Sequence, residues 1–190
     1  MTDSEHTSRG SGQAAAVSAG KLKVVTTYLE MRQPPARPLA SPPTAGVTVI
    51  QATHPTVSFY RYLYDTVGEQ WLWYERRKMS DEALRAVIHD PKVELYVLYV
   101  RGVPAGYAEL DRRTEDDVEV AYFGLMPEFI GRGLGPYLLE RAVVQAWCQQ
   151  PKRVWVHTCN LDHPKALEVY QRMGFVAYKQ ETIFIDDPRA

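Results

Sequence analysis

Gly131, Gly133 and Gly135 alternate with Arg132 and Leu134 between a β-rich run and an amphipathic one, and no other stretch restricts the chain so tightly. Val118 to Leu125, just before, is rich in β-formers. After the glycines, Leu138, Leu139, Ala142, Val143 and Ala146 recur at three- and four-residue spacing until Pro151 stops them. A strand therefore feeds a glycine turn, and a helix begins at once. Missing Cβ atoms open the main chain to a ligand, while the first N–H groups of the helix and the positive end of its dipole make an anion site suited to a phosphate. Arg132 is placed to add a charge-assisted bond.

Known phosphate-binding turns narrow the reading. A P-loop requires Lys-Ser/Thr after its last glycine, where this chain has Pro136 and Tyr137. A dinucleotide fingerprint requires G-x-G-x-x-G early in a parallel βαβ unit, whereas this turn is G-x-G-x-G behind three strands that read as antiparallel. A tight turn with no ligand is the bland alternative.

Those strands are Val93 to Val100 and Ala105 to Leu110, flanking the turn Arg101-Gly102-Val103-Pro104, and then Val118 to Leu125 after a charged turn. Ahead of them, Val47, Val49 and Ile50 predict a short strand. Val57 to Val67 predicts a helix ending before Gly68, and Ser80 opens another with Leu84, Val87 and Ile88 on one face. Beyond the glycine turn come a strand (Arg153 to Thr158), a helix (Pro164 to Arg172) stopped by Gly174, and two short strands, Phe175 to Tyr178 and Thr182 to Ile185. The order predicts a mixed α/β domain over 47–190, its sheet mostly antiparallel and flanked by helices. Residues 1–20 read as a disordered tail, and 21–46 as an extended arm with a proline-rich linker.

Composition excludes several classes. The chain has 22 Lys and Arg against 23 Asp and Glu, and a net charge of −1 leaves no basic footprint for nucleic acid. No run approaches the roughly 18 apolar residues of a membrane span. Two cysteines, Cys148 and Cys159, without an apolar leader, predict a cytoplasmic protein in a reducing compartment. The sequence leaves the oligomeric state open, a homodimer being one candidate.

Two motifs together carry a family resemblance. The strand, Pro127-Glu128-Phe129, the glycine turn and its helix resemble the acyl-CoA pyrophosphate loop of the GNAT superfamily of N-acetyltransferases. His163-Pro-Lys-Ala166-Leu-Glu-Val-Tyr170-Gln-Arg-Met-Gly174-Phe175 resembles that superfamily's second motif, N-x-x-A-x-x-x-Y-x-x-x-G-F. The chain departs from the pattern at Ile130, where Arg or Gln is usual, and at His163, where Asn is frequent and Asn160 lies three residues earlier. The resemblance implies a GNAT-like fold and transfer of an acetyl group from acetyl-CoA, as co-substrate and without a metal. The acceptor it implies is a primary amine of a small molecule or peptide, attacking directly in a ternary complex. A non-catalytic acyl-CoA-binding sensor or interaction module on the same fold is the alternative.

Residue by residue, the resemblance implies coenzyme contacts from the main chain of Phe123, Gly124 and Leu125, with Gly124 suited to a β-bulge. It adds Gly131, Arg132, Gly133, Leu134, Gly135 and Pro136 around the pyrophosphate, and Asn160 or His163 on the pantetheine arm. Tyr170 is the implied acid for the departing thiolate. Glu119 is the implied base; strand alternation places it with Ala121, Phe123 and Leu125, and His157 is its rival. The aromatic cluster containing Tyr60, Tyr64, Trp71 and Trp73 is expected to wall the acceptor site or to pack two helices onto the sheet.

Overall fold

In the computed structural model, which describes residues 21–36 and 38–187, side-chain caps open the first two helices where the sequence places them. Thr56 Oγ1 accepts from the Phe59 amide at 3.2 Å and starts α1 (Val57–Gly68); Ser80 Oγ accepts from the Ala83 amide at 3.2 Å and starts α2 (Asp81–Ile88). The third helix, α3 (Leu134–Trp147), follows Gly133 in the left-handed region. The fourth, α4 (Ala166–Met173), ends at Gly174 with φ +109°, where the Phe175 amide donates to the Tyr170 carbonyl.

Seven strands form one sheet in the order β2-β3-β4-β5-β6-β1-β7. They are β1 (Lys21–Met31), β2 (Val47–Gln51), β3 (Val93–Val100), β4 (Val103–Asp111), β5 (Asp117–Leu125), β6 (Arg153–Cys159) and β7 (Val176–Asp186). Every pairing is antiparallel except β5 with β6. Alternation along β3 sends Tyr96 and Leu98 to one face and Leu95 and Val97 to the other. Each face has its own core: α3 and α4 cover the first, α1 and α2 the second. Among the described residues no helix is long and apolar enough to cross a membrane.

Three expectations change. The arm is not an appendage, because β1 lies between β6 and β7 and pairs with both; Leu29 is fully buried and Met31 joins the core. Its buried Val24, Leu29 and Met31 are too sparse, and too unevenly spaced, to show burial on their own, and only the lane beside β6 makes them a strand of the domain. Among the described residues the folded unit thus reaches back to Lys21, not only to Val47; the tail expected over 1–20 lies outside the described residues. Its proline-rich continuation is held as well, since Glu140 Oε2 accepts from the Ala40 amide (2.8 Å) while the neighbouring Arg141 donates to the Ala40 carbonyl (2.5 Å). The two closing strands are one strand, β7, kept in register with β1 through an irregularity at Tyr28/Leu29.

Under α1 lies a buried ionic group. Arg76 donates to Glu109 Oε1 at 2.6 Å, and the Tyr60 hydroxyl donates to Glu109 Oε2, with Glu109 wholly buried. Burial pushes the Glu109 carboxyl upward, and these two donors oppose that shift. The Arg76 guanidinium also lies over the Tyr122 ring at 5.2 Å, so the group joins the α1 core to β5.

Candidate functional site

The parallel strands β5 and β6 pair only from Asp117–Arg153 to Glu119–Trp155, and then part. Beyond that point β5 is bonded only to β4, and β6 only to β1, so the outer edge of β5 from Val120 to Leu125 keeps free main-chain groups. The register of β4 with β5 slips here: Leu110 pairs with Val120, but Glu109 pairs with Tyr122. Ala121 is therefore the bulged residue, not Gly124. The extra residue inverts the alternation after it, leaving Glu119 on the face of Tyr122 and Gly124, opposite Phe123 and Leu125. Gly124 serves a different need, because a Cβ there would meet Val67 Cγ1 at 2.4 Å. It lets α1 sit close against β5.

At the far end of β5, a turn at Pro127–Phe129 leads into the glycines. Gly131 (φ +82°) and Gly133 (φ +74°) both need the left-handed region, which a side chain would strain by roughly 1–2 kcal/mol. Among the described residues the amides of Gly131 to Gly135 have no backbone acceptor. These free donors stand at the start of a fourteen-residue helix, the arrangement that holds a phosphate. The Arg132 guanidinium lies over the Phe129 ring at 5.2 Å, and Arg132 is not among the residues that line the cavity between β5 and β6. Leu134 is buried in the core below the loop. What the loop offers an anion is its main-chain amides.

The gap between β5 and β6 is a cavity of about 770 Å³, within the range of small-molecule sites. One end is lined by Gly131, Gly133, Gly135 and Pro136, and its middle by Phe123, Gly124 and Leu125 with Tyr170 and His163 of the opposite wall. Tyr170 is buried, its ring against Phe175 (6.1 Å between centroids) and Phe123 (5.9 Å). Burial, helped by the charge of Asp162, lifts its phenol well above the ordinary value of 10, so it enters any reaction protonated. His163 faces Trp71 edge-on at 5.1 Å, and its Nδ1 accepts from the Lys165 amide at 3.1 Å.

Glu119 and His157, alternatives in sequence, are a pair in space. Glu119 Oε1 lies 3.2 Å from His157 Nδ1, and both line the cavity. The hydrogen bond to Glu119 raises the imidazole pKa, desolvation opposes it, and the carboxylates of Asp162 and Glu75 add to the rise. With Nδ1 turned to Glu119, Nε2 is the atom left to exchange a proton.

Of the predicted acceptor wall, Trp71 and Trp73 line the cavity, whereas Tyr60 and Tyr64 do not. Each of those tyrosines is 1% exposed; Tyr60 is bound to Glu109 and Tyr64 donates to Glu75 at 3.2 Å, so they hold α1 onto the sheet. Their i, i+4 spacing on an inward face is the signal for that role. Asn160 is also engaged elsewhere: its Oδ1 accepts from the Val25 amide (2.7 Å) and its Nδ2 donates to the Lys23 carbonyl (3.1 Å), fastening β1.

Sequence reading missed Asp162, whose Oδ2 accepts from the Thr158 hydroxyl and the Cys159 amide, both at 2.8 Å, and whose Oδ1 faces the Trp73 indole N–H at 3.5 Å. It stands beside the second motif with no pattern of its own. Val24 and Thr26 of β1, with Ile183 and Ile185 of β7, supply a further wall, apolar but for the Thr26 hydroxyl.

A model of the acetyltransferase (GNAT) family matches residues 57–175. Solved structures share the fold. A GCN5-related N-acetyltransferase from Sphaerobacter thermophilus superposes with a TM-score of 0.61 at 16% identity, over 85% of this chain and 50% of its own. One from Kribbella flavida gives 0.58 at 19%, over 89% and 60%. The chain thus spans about half to three fifths of those two molecules. An aminoglycoside acetyltransferase from an uncultured soil metagenomic sample gives 0.57 at 11%, over 68% of this chain and 88% of its own. A search of curated proteins finds no match.

Proposed function

Because the chain belongs to the acetyltransferase (GNAT) family, we propose that it moves an acetyl group from acetyl-CoA to a primary amine of a small molecule or peptide, by direct attack in a ternary complex. The observation that carries this reading is a single cavity, lined at one end by free glycine-loop amides and at the other by the Glu119–His157 pair, with the Tyr170 phenol between the walls. The residues fit acetyl-CoA: amides for the pyrophosphate, and a free β5 edge on which a pantetheine amide can pair as an added strand.

Each step then falls to a group of the chain. His157 Nε2 takes the proton that leaves the amine as it attacks, and Glu119 orients the ring and stabilises its charged form. Tyr170 gives its proton to the departing thiolate, which its raised pKa permits only through close alignment with the sulfur. Trp71, Trp73 and Val24 give the cavity apolar surface on which the acceptor can rest.

This division of labour is tested by the pH dependence of thiol release. A base must be unprotonated to act, and Glu119 raises the His157 pKa, so the rising limb is expected above the ordinary imidazole value of about 6.5. Glu119→Gln removes the charge, and the limb moves to lower pH. A limb unmoved by that substitution overturns the pairing as the base.

A further inference from the structure

One face of the sheet is only partly covered. Alternation in β1 and β6 sends Leu29, Met31, Val154 and Val156 into the core under α3 and α4, so Tyr28, Trp155 and His157 point to the other side. There the core under α1 and α2 takes residues of β3, β4 and β5 and, among the described residues, none of β6, β1 or β7. Rings occupy the uncovered part instead. Between centroids, Tyr28 lies 6.3 Å from Trp155 and 5.9 Å from His157, Trp155 lies 6.1 Å from His157, and Tyr178 of β7 adjoins Tyr28 at 6.3 Å. Tyr28 and Trp155 are half-buried, and Tyr178 is 44% exposed.

His157 belongs to this row and to the cavity at once. Its Nδ1 faces Glu119 inside the cavity, and its side chain is 46% exposed, so a molecule whose amine reaches Nε2 has room to extend over the rings. Trp71 and Trp73 serve the amine end, because contacts to His163 and Asp162 tie them to the wall on the far side of the cavity. We propose that Tyr28, Trp155 and Tyr178 seat the body of the acceptor, which is a primary amine carried by a short chain on a flat aromatic ring. This rests on the acetyl-transfer reading, in which the amine stands at His157 Nε2.

The chemistry of the row selects that class. Rings in mutual contact on one sheet face present a continuous π surface, which an aromatic ring matches by stacking or edge-on packing. The Lys179 ammonium stands over the Tyr28 ring at 5.0 Å, and the Arg153 guanidinium lies 5.9 Å from Trp155 and 5.8 Å from Tyr178. Both cations have acidic partners, Glu181 for Lys179 and Asp117 for Arg153, so the surface offers no unpaired charge to a polyamine or an acid. A neutral ring fits it.

The test compares kcat/KM for 2-phenylethylamine, butylamine and 1,4-diaminobutane with acetyl-CoA, in the full chain and in its Trp155→Leu and Tyr178→Ala variants. The unaltered chain is expected to favour 2-phenylethylamine over butylamine at least about tenfold, chiefly through KM. Either variant lowers that preference about two- to tenfold, the share of one aromatic contact. Tyr178 lies outside both cores, so its loss leaves the fold intact, which retained thermal protection by acetyl-CoA verifies. Equal use of the two monoamines, or a preference unmoved in both variants, overturns the assignment while acetyl transfer stands. A preference for 1,4-diaminobutane does the same, and points to Glu75 and Asp162 in the cavity as the seat of its second cation. Absence of thiol release with any primary amine overturns the acetyl-transfer reading itself, and this assignment with it.

Discussion

Tyr170→Phe lowers kcat/KM for acetyl transfer by about 10²–10⁴-fold, the usual contribution of a positioned proton donor, while affinity for acetyl-CoA stays within about twofold. The expectation follows from the geometry of one ring. Its packing on Phe123 and Phe175 survives removal of the hydroxyl, so neither the fold nor the cavity wall changes. What disappears is the protonated phenol that burial and Asp162 maintain. Thiol release and acetyl-CoA titration, measured on the same preparation, separate the two effects. An unchanged rate removes Tyr170 as the acid.

Arg76→Met costs about 3–5 kcal/mol of stability, read as a lower urea midpoint at unchanged slope. Glu109 has no contact with water, and its charge is held by Arg76 and the Tyr60 hydroxyl. Removing the guanidinium leaves a buried carboxylate with a single neutral donor. Adding Glu109→Gln to the variant removes that charge and restores part of the loss, so the double substitution costs less than the two single ones together. A single variant within about 1 kcal/mol of wild type contradicts the role given to the pair. Because Arg76 also lies over Tyr122, which lines the cavity, the same substitution loosens that wall of the cavity.

The glycine loop was legible because it is contiguous, Gly131 to Gly135 needing only a strand before it and a helix after it; Tyr170 entered through the resemblance, its spacing from Ala166 and Gly174 matching a family motif. Features set by distant parts of the chain were out of reach. The bulge at Ala121 is a property of the pairing with Glu109 and Leu110, and it inverted the assignment of Glu119 to a face. The place of β1 depends on the lane between β6 and β7, which no periodicity within Lys21 to Met31 encodes. Tyr60 and Tyr64 belong to the same aromatic cluster as the cavity-lining Trp71 and Trp73, and only the inward face of α1 separates core rings from wall rings. Asp162 gained its role through Trp73, far away in sequence.

On the proposed reading, one cavity binds acetyl-CoA at the glycine loop and delivers its acetyl group to an amine beside His157. The most direct measurement incubates the purified chain with acetyl-CoA and a panel of primary amines, following free thiol and the mass of each amine. The expected result is thiol release matched one to one by an acetylated amine, with acetyl-CoA alone raising the thermal midpoint. Neither thermal protection by acetyl-CoA nor thiol release with any amine would contradict that reading.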